Sequence, residues 1–256
     1  MSMIEKMKLT GKIALVTGGA RGIGKCVATG MAEAGAEIAI VDIDLDAAQK
    51  TAAEIASLTG MKTLAVRTDV TDPEEVKCMM ETVIAHFGRL DVAFLNAGIC
   101  INEPAETMAY ASWKKVLDIN LTGIFLTAQA VGSYMIANRV SGAIINTASM
   151  SGHVVNTPQP QSAYNASKAG VIMLTKSLAV EWAPYNIRVN CISPGYISTE
   201  MTLKSTHWIP LWNEQNPSKR MGRPEELVSA VLYLASDAAG YTTGSDLVID
   251  GAFTCV

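Results

Sequence analysis

A tyrosine and a lysine at helical spacing are the residues best suited to chemistry in this sequence. In Tyr164-Asn165-Ala166-Ser167-Lys168 the phenol and the ammonium group lie at positions i and i+4, which share one face of a helix. A neighbouring ammonium group stabilises a phenolate, and lowering the pKa of a phenol from about 10 to about 7 takes roughly 4 kcal/mol. Such a tyrosine can exchange a proton with a substrate at neutral pH. Helices without an active site show the same spacing, so the rest of the chain must separate the two interpretations.

A glycine-rich turn near the N-terminus predicts a nucleotide site. It follows an apolar run, residues 12–17, that is typical of a strand buried on both faces, and it precedes a helical stretch, residues 27–34. Glycines between a strand and a helix allow a tight turn and the close approach of a pyrophosphate, whose charge is favoured at a helix N-terminus. The predicted contacts are Gly18, Arg21, Gly22, Ile23 and Gly24.

The choice of cofactor depends on Asp42, at the end of the second predicted strand. Its carboxylate can bind the hydroxyl groups of an adenosine ribose and would repel a 2′-phosphate, which favours NAD over NADP. Arg21 favours NADP, because a guanidinium group in the glycine-rich turn can bind a phosphate. Asp42 is the stronger signal, although it could instead open a turn or cap the next helix.

Strands and helices alternate along the chain, which predicts an α/β fold. The predicted strands cover residues 12–17, 37–41, 63–68, 91–95, 143–147, 187–192 and 247–250, with helices between them, including a long one over 112–138 that is interrupted near Asn120. This alternation indicates a single-domain, Rossmann-type, doubly wound parallel sheet of about seven strands, with ligands at the carboxyl ends of the strands. No linker divides residues 1–256. Residues 196–223 lack periodicity and are predicted to form a lid over the substrate.

The composition argues against several classes of protein. Of 256 residues, 49% are apolar and 17% are charged, as in a soluble globular chain, and the net charge of −4 argues against a nucleic-acid partner. No apolar run approaches the ~20 residues that cross a membrane, and the first residues lack a secretory stretch. We therefore expect no membrane partner and a cytoplasmic location. Five scattered cysteines and three isolated histidines match no metal motif, so no metal site is predicted.

Taken together, these motifs make the chain similar to the short-chain dehydrogenase/reductase family from about residue 9 to residue 252. The resemblance implies a catalytic set of Asn120, Ser149, Tyr164 and Lys168. In this family Tyr164 would exchange a proton with the substrate oxygen, and Lys168 would lower its pKa and bind the nicotinamide ribose. Ser149 would orient the reacting oxygen, and Asn120 would hold the water of a proton relay. The interval between Ser149 and Tyr164 is slightly longer than usual, which a loop can absorb.

The resemblance also implies the remaining cofactor contacts and the assembly. Asp69, with Val70 beside it, would bind the adenine, and small residues in Asn96-Ala97-Gly98 would let a ring approach the backbone. On the nicotinamide side the implied contacts are Tyr164, Lys168, Pro194, Gly195, Ile197 and Thr199. The family further implies a homotetramer.

Within the family, Ser149-Met150-Ser151-Gly152 and the Pro-Gln loop that follows resemble the branch acting on sugar alcohols and ketoses. A polyol needs convergent hydrogen-bonding groups. We expect them from Ser149, Ser151, His153, Asn156, Gln159 and Tyr164, with Asn102 and Glu103 in the opposing loop and Cys100 as an apolar wall. The prediction is an NAD-dependent dehydrogenase that converts a small secondary alcohol reversibly to the ketone. The alternatives are a 3-oxoacyl thioester reductase and a catalytically silent nucleotide-binding regulatory protein.

Overall fold

The computed structural model describes residues 2–256 and contains one parallel sheet. Its seven strands are β1 (Ile13–Thr17), β2 (Glu37–Asp42), β3 (Thr63–Arg67), β4 (Val92–Leu95), β5 (Ala143–Thr147), β6 (Arg188–Pro194) and β7 (Asp246–Ile249). They lie in the order β3-β2-β1-β4-β5-β6-β7, and all neighbouring strands are parallel. The strand order changes direction between β1 and β4, where a doubly wound sheet opens a crevice at its carboxyl edge. The predicted fold class is confirmed.

Helices cover both faces of the sheet. They are α1 (Met3–Lys6), α2 (Gly22–Glu33), α3 (Leu45–Thr59), α4 (Pro73–Phe87), α5 (Tyr110–Leu117), α6 (Gly123–Ala137), α7 (Ser162–Trp182), α8 (Glu200–Leu203), α9 (Ile209–Gln215) and α10 (Glu225–Ala235). A π-helical turn, Asp118–Thr122, joins α5 to α6. Short 3₁₀ turns lie at Met150–Gly152, Ala183–Tyr185, Asp237–Ala239 and Phe253–Cys255.

The side chains of β1 show how the layers pack. All five are buried; Ile13 and Leu15 pack with the layer of α4, α6 and α7, and Ala14 and Val16 pack with the layer of α2, α3 and α10. This alternation follows from the two-residue period of a strand. Two covered faces also explain why the strands are continuous apolar runs in the sequence.

The predicted element boundaries are close to the observed ones. β5 and α10 occupy the predicted residues, and the side chains of Asp44 and Asp72 cap the N-termini of α3 and α4. The predicted lid segment differs, because it contains α8 and α9. Both helices are too short for a 3.6-residue period to stand out in the sequence.

The long helical stretch runs from 110 to 137 and is interrupted by the π turn where the sequence predicted. Its most apolar 18-residue window has a mean hydropathy of 1.2, so by length and composition it could cross a membrane. Ile124, Val131 and Met135 of α6 are nevertheless buried against the sheet. The apolar character of this stretch therefore serves the packing of the core.

Candidate active site

A cleft of about 540 Å³ opens at the carboxyl ends of the strands, beside the crevice between β1 and β4. Its wall includes most of the predicted cofactor contacts: Gly18, Arg21, Gly22, Ile23, Asp42, Asp69, Val70, Asn96, Ala97, Gly98, Tyr164, Lys168 and Thr199. The parallel topology thus brings together residues that lie far apart in the sequence.

The glycine-rich turn forms one side of the cleft because its backbone approaches its neighbours closely. A Cβ atom at Gly18 would lie 2.9 Å from the Cα of Ala97, and one at Gly24 would lie 2.1 Å from the carbonyl oxygen of Gly18. Gly22 has a φ of +56° and begins α2. The free N–H groups of the first turn of α2 therefore border the cleft. Gly24 itself lies behind the wall, and its lack of a side chain serves the packing of α2 against the turn.

Asn96 holds the glycine-rich turn in place. Its side-chain nitrogen donates to the carbonyl oxygens of Thr17 (3.3 Å) and Gly18 (3.2 Å), and its backbone N–H donates to the Thr17 hydroxyl (2.9 Å). The ends of β1 and β4 are thereby joined at the crevice.

Asp42 and Asp44 form an acidic end of the cleft. The carboxylate of Asp42 accepts hydrogen bonds from the backbone N–H groups of Ala20 (3.1 Å) and Asp44 (3.2 Å). Arg21 lies 2.6 Å from the carboxylate of Asp44, in an exposed ion pair. Two carboxylates and one guanidinium group therefore lie at this end of the cleft, and the net negative charge opposes the binding of a 2′-phosphate.

The cleft fits a dinucleotide. The hydroxyl groups of Thr68 and Thr147 are buried on its wall and have no hydrogen-bond partner among residues 2–256, although buried polar groups are usually paired. Thr68 adjoins Asp69 at the adenosine end, and Thr147 adjoins Lys168 at the other end. A Cβ atom at Gly98, between them, would lie 3.3 Å from the side-chain oxygen of Asn120. Glycine therefore leaves room at that point for the side chains of Asn120 and Lys168.

α7 presents Tyr164 and Lys168 to the same end of the cleft, as their spacing predicted. The Nζ atom of Lys168 lies 5.6 Å from the centroid of the Tyr164 ring and donates to the carbonyl oxygen of Thr147 (2.7 Å). Lys168 is buried, whereas Tyr164 is only partly so. The ammonium group is thus anchored to the end of β5.

The ionisation of this pair corrects one expectation from the sequence. Burial raises the pKa of Tyr164 to about 12; the Cys100 thiol adds to this effect, and a hydrogen bond with Ser149 opposes it. Burial lowers the pKa of Lys168 to about 8. The ammonium group therefore loses its proton before the phenol does, and the predicted lowering of the phenol pKa to about 7 is wrong. The cost of removing the phenolate and the ammonium group from water outweighs their mutual attraction at the observed distance between Tyr164 and Lys168.

Ser149 lies just beyond β5 and beside Tyr164. Its hydroxyl oxygen accepts a hydrogen bond from the backbone N–H of Ser151 (3.1 Å), and its hydrogen bond with the phenol lowers the pKa of Tyr164. The serine and the tyrosine are therefore placed to contact one substrate oxygen.

Asn120, in the π turn, is fully buried and joins three segments. Its oxygen accepts from the backbone N–H of Ile99 (2.8 Å), and its nitrogen donates to the carbonyl oxygen of Ile99 (2.9 Å) and to the Ser167 hydroxyl (3.1 Å). Both of its N–H groups are used in this way. The side chain is therefore a clamp between the end of β4 and α7, and the relay water stays a prediction.

Three predicted substrate contacts, His153, Asn156 and Gln159, bind neighbouring segments of the chain. His153 lies with its Nε2 2.6 Å from the carboxylate of Asp246, at the edge of the sheet. Gln159 is buried and uses both ends of its amide, donating to the Tyr196 hydroxyl (2.8 Å) and accepting from Trp212 (3.0 Å). Asn156 is also buried and donates to the Tyr196 hydroxyl (3.2 Å). A contact of these three side chains with a substrate stays a prediction.

The opposing loop also differs from the expectation. The carboxylate of Glu103 accepts from the Ser112 hydroxyl (3.0 Å) and the backbone N–H of Ala109 (3.4 Å), so it caps α5. Cys100 lies closer to the chemistry than its predicted role as a wall residue implied. Its thiol contacts the side-chain oxygens of Asn102 (3.5 Å) and Gln161 (3.9 Å) and influences the pKa of Tyr164.

Three predicted contacts on the nicotinamide side lie behind the wall. Pro194 and Ile197 are buried, Ile197 in the core beside α10. Gly195 packs against Asp250, whose Cα would lie 2.7 Å from a Cβ atom at that position. Of the four implied contacts between residues 194 and 199, only Thr199 reaches the cleft, where it also caps α8.

The cleft has further wall residues that the sequence did not suggest: Val41, Ile43, Asp44, Thr68, Ile99, Ile119, Thr147, Glu200 and Met201. Thr68 and Thr147 could have been found, because each lies at the carboxyl end of a predicted strand. Glu200 and Met201 could not, because their place depends on how α8 folds over the site.

Comparison with known proteins identifies the family. The family model described as "Enoyl-(Acyl carrier protein) reductase" matches residues 18–254. A solved short-chain type dehydrogenase/reductase from Mycobacterium marinum is 48% identical, with a TM-score of 0.98 and 100% of both chains covered. The chain belongs to the short-chain dehydrogenase/reductase family. This dehydrogenase/reductase is therefore an NAD(P)-dependent oxidoreductase that acts on CH–OH groups.

Similar relatives include enzymes named for polyols and ketoses. The chain is 43% identical to galactitol 2-dehydrogenase of Rhizobium johnstonii over 262 residues, covering 100% of both, and 42% identical to sorbose reductase of Candida albicans, covering 99% of this chain and 91% of the relative. The resemblance to the polyol branch is thereby confirmed. The NADPH-dependent 3-quinuclidinone reductase from Rhodotorula rubra is also similar, with 36% identity, a TM-score of 0.95 and coverage of 100% and 96%.

Proposed function

We propose that this dehydrogenase/reductase transfers a hydride between NAD and a secondary alcohol, reversibly giving the ketone. The alcohol is a polyol or a related small hydroxylated compound. The observation that carries this proposal is that Tyr164 and Lys168 lie at one end of a cleft that fits a dinucleotide, with Ser149 beside Tyr164.

The proton is handled by the protein's own residues, while a bound nicotinamide supplies the hydride chemistry. Tyr164 keeps its proton at neutral pH and donates it to the carbonyl oxygen in reduction. In oxidation the Tyr164 and Lys168 pair first loses a proton, and Tyr164 then accepts the proton of the alcohol. Ser149 donates a hydrogen bond to the same oxygen and stabilises the charge that develops there. Lys168, beside the unpaired hydroxyl of Thr147, binds the ribose hydroxyls.

The cofactor residues follow the order of the cleft. Asp42 binds the adenosine ribose, and Asp69 and Val70 border the adenine. The N–H groups at Gly22 and Ile23 bind the pyrophosphate. The preference for NAD over NADP is supported by the carboxylates of Asp42 and Asp44, which lie at this end of the cleft with only one guanidinium group, that of Arg21.

A polyol substrate is supported by polar side chains around Tyr164 and by the names of the similar relatives. Ser149, Ser151 and Gln161 are buried polar residues in this region. An acyl thioester is the second candidate, favoured by the description of the matching family model. That reading needs an apolar acyl channel and a basic docking surface, whereas the chain has a net charge of −4.

The first experiment is an assay with a panel of pentitols, hexitols, simple diols and 3-hydroxyacyl thioesters. Each is offered with NAD or NADP, and the near-ultraviolet absorbance of the reduced cofactor is followed. We expect turnover with NAD and a subset of the polyols, and its loss in Tyr164→Phe. Turnover confined to NADP and acyl thioesters would replace the proposal with the second candidate. Silence across the panel would favour a nucleotide-binding regulatory protein.

The choice of cofactor is tested separately by Asp42→Ala. Removing the carboxylate should weaken NAD binding and raise the ratio of NADP to NAD affinity at least about tenfold, which corresponds to ~1.4 kcal/mol. Titration of protein fluorescence with each cofactor measures both affinities. Asp237→Ala, which removes an exposed carboxylate paired with Lys12, is the control and should leave the ratio unchanged. An unchanged ratio in Asp42→Ala would refute the cofactor proposal.

A homotetramer and a cytoplasmic location complete the proposal. The tetramer is supported by two exposed apolar regions on α7 and β7, discussed below. The location follows from the soluble composition of the chain.

A further inference from the structure

Gln161 lies where the loop after Ser149 meets α7, and its side chain is almost fully buried. Its nitrogen lies within hydrogen-bond distance of three oxygens: the Ser151 hydroxyl (3.1 Å) and the side-chain oxygens of Asn156 (3.2 Å) and Asn165 (2.8 Å). An amide nitrogen has two hydrogens, so the three acceptors share them. Gln161 therefore binds two segments of the loop and the first turn of the helix at once.

The partners of Gln161 connect the two residues that face the substrate oxygen. Ser151 holds Ser149, because the backbone N–H of Ser151 donates to the Ser149 hydroxyl (3.1 Å). Asn165 follows Tyr164 directly in α7. Gln161 thus bridges the segment that carries the serine and the helix that carries the tyrosine. Hydrogen bonds in such a buried network are costly to remove.

The same network reaches the predicted lid. Asn156 accepts from Gln161 and donates to the Tyr196 hydroxyl, which also accepts from Gln159. The loop between Ser149 and Tyr164 is therefore held by hydrogen bonds to Tyr196 on one side and to Gln161 on the other. Gln161 is its inner anchor, next to the catalytic residues.

We propose that Gln161 is a positioning residue that fixes the Ser149 hydroxyl against the Tyr164 phenol. It acts on the chemical step and leaves cofactor binding unaffected, because its side chain is not on the wall of the dinucleotide cleft. The inference rests on the proposed function, since its test measures the oxidation of an alcohol.

The first test is Gln161→Leu, which keeps a similar volume and removes every hydrogen bond of the side chain. We expect kcat to fall roughly 10- to 100-fold, because a small misplacement of a reacting group has effects of this size. The dissociation constant of NAD, measured by protein fluorescence, should change by less than about twofold, because the Gln161 side chain does not line the cleft that binds the cofactor. Gln129→Leu, at an exposed position of α6, is the matched control and should keep wild-type kcat.

A double-mutant cycle separates positioning from general damage. In the Ser149→Ala background, Gln161→Leu should change kcat by less than about twofold, because its effect passes through the absent hydroxyl. Equal losses in both backgrounds would overturn the proposal.

Ser151→Ala keeps the test decisive if Gln161→Leu does not fold. It removes only the acceptor on the serine side and should lower kcat several-fold in a folded protein, with little further effect in Ser149→Ala. Wild-type kcat in Ser151→Ala or Gln161→Leu would overturn the inference alone. Absence of wild-type turnover across the substrate panel would overturn the proposed function and this inference with it.

Discussion

At the scale of single residues, burial decides the chemistry of the Tyr164 and Lys168 pair. Spacing along the helix brings them to one face, but the pKa of Lys168 falls to about 8 and that of Tyr164 rises to about 12. Both shifts favour the neutral form, as expected when charge is removed from water. Because the two groups interact, they titrate as a pair, and the first proton lost as the pH rises comes chiefly from Lys168.

The order in which Lys168 and Tyr164 lose their protons predicts how the rates of oxidation and reduction depend on pH. Alcohol oxidation should rise as the pH increases through about 8, because the pair must lose a proton before it can accept one. Ketone reduction uses the protonated phenol and should be level at neutral pH and fall in the alkaline range. Steady-state rates in both directions, across pH at saturating cofactor, measure this. Lys168→Met should remove the rise near 8, and Lys176→Met, exposed further along α7, should keep it; a flat oxidation profile in the wild type would contradict the prediction.

At the scale of elements, the π turn and the lid are held by single buried side chains. Asn120 pairs both backbone groups of Ile99, and Trp212 of α9 stacks on Tyr196 with ring centroids 4.3 Å apart. In both cases one residue joins segments that are distant in the chain. Such residues control local stability more than their neighbours do.

Asn120→Ala tests the clamp at the π turn. It leaves the part-buried N–H and C=O groups of Ile99 without their partner, which should lower the free energy of unfolding by about 1 to 3 kcal/mol. Denaturation with urea, followed by circular dichroism, measures the change. Asn138→Ala, at the exposed end of α6, should cost less than about 0.5 kcal/mol. Equal stability of the two variants would refute the clamp.

Trp212→Ala tests the anchor of the lid. Loss of the stacked ring and of its hydrogen bond to Gln159 should loosen residues 196–223 and speed their cleavage in limited proteolysis by at least about tenfold, since truncating a buried tryptophan typically costs 3–5 kcal/mol. Mass spectrometry of the fragments locates the cut. Trp113→Ala, on α5, is the control and should leave cleavage within the lid unchanged. Cleavage outside the lid in Trp212→Ala would assign the tryptophan to the core instead.

At the scale of the whole molecule, two apolar regions are exposed on the single chain. α7 presents Ala166, Ala169, Met173 and Val180 along one face, and the edge strand β7 exposes Leu247 and Val248. Apolar faces of this kind mark protein interfaces, and an unpaired edge strand is usually covered. Two separate interfaces on one chain are what a tetramer with twofold symmetry requires.

The proposed tetramer predicts a solution mass of four chains of 27.2 kDa each. Light scattering coupled to size-exclusion chromatography measures it. Val180→Glu, on the exposed face of α7, should shift the mass towards smaller species, because a charge would be buried in the interface. Val155→Glu replaces an equally exposed valine of the loop and should leave the mass unchanged. A wild-type monomer would refute the tetramer.

The sequence by itself determined the fold and the position of the cleft. Apolar runs such as residues 143–147, glycines at the turn after β1 and an aspartate cap before α4 act locally, so their effect can be read without knowing the partners. Parallel topology then brings the strand ends together, which is why Asp42, Asn96 and Tyr164 were predicted to share one site.

Only the tertiary structure decided what the individual side chains do there. Asn156 and Gln159 bind Tyr196, Glu103 caps α5, and Gly24 packs behind the wall, although each is of a type suited to the site. The pKa order of Tyr164 and Lys168 likewise depends on burial. Hydrogen-bond partners and desolvation are set by residues far away in the chain, and a local sequence pattern carries no information about them.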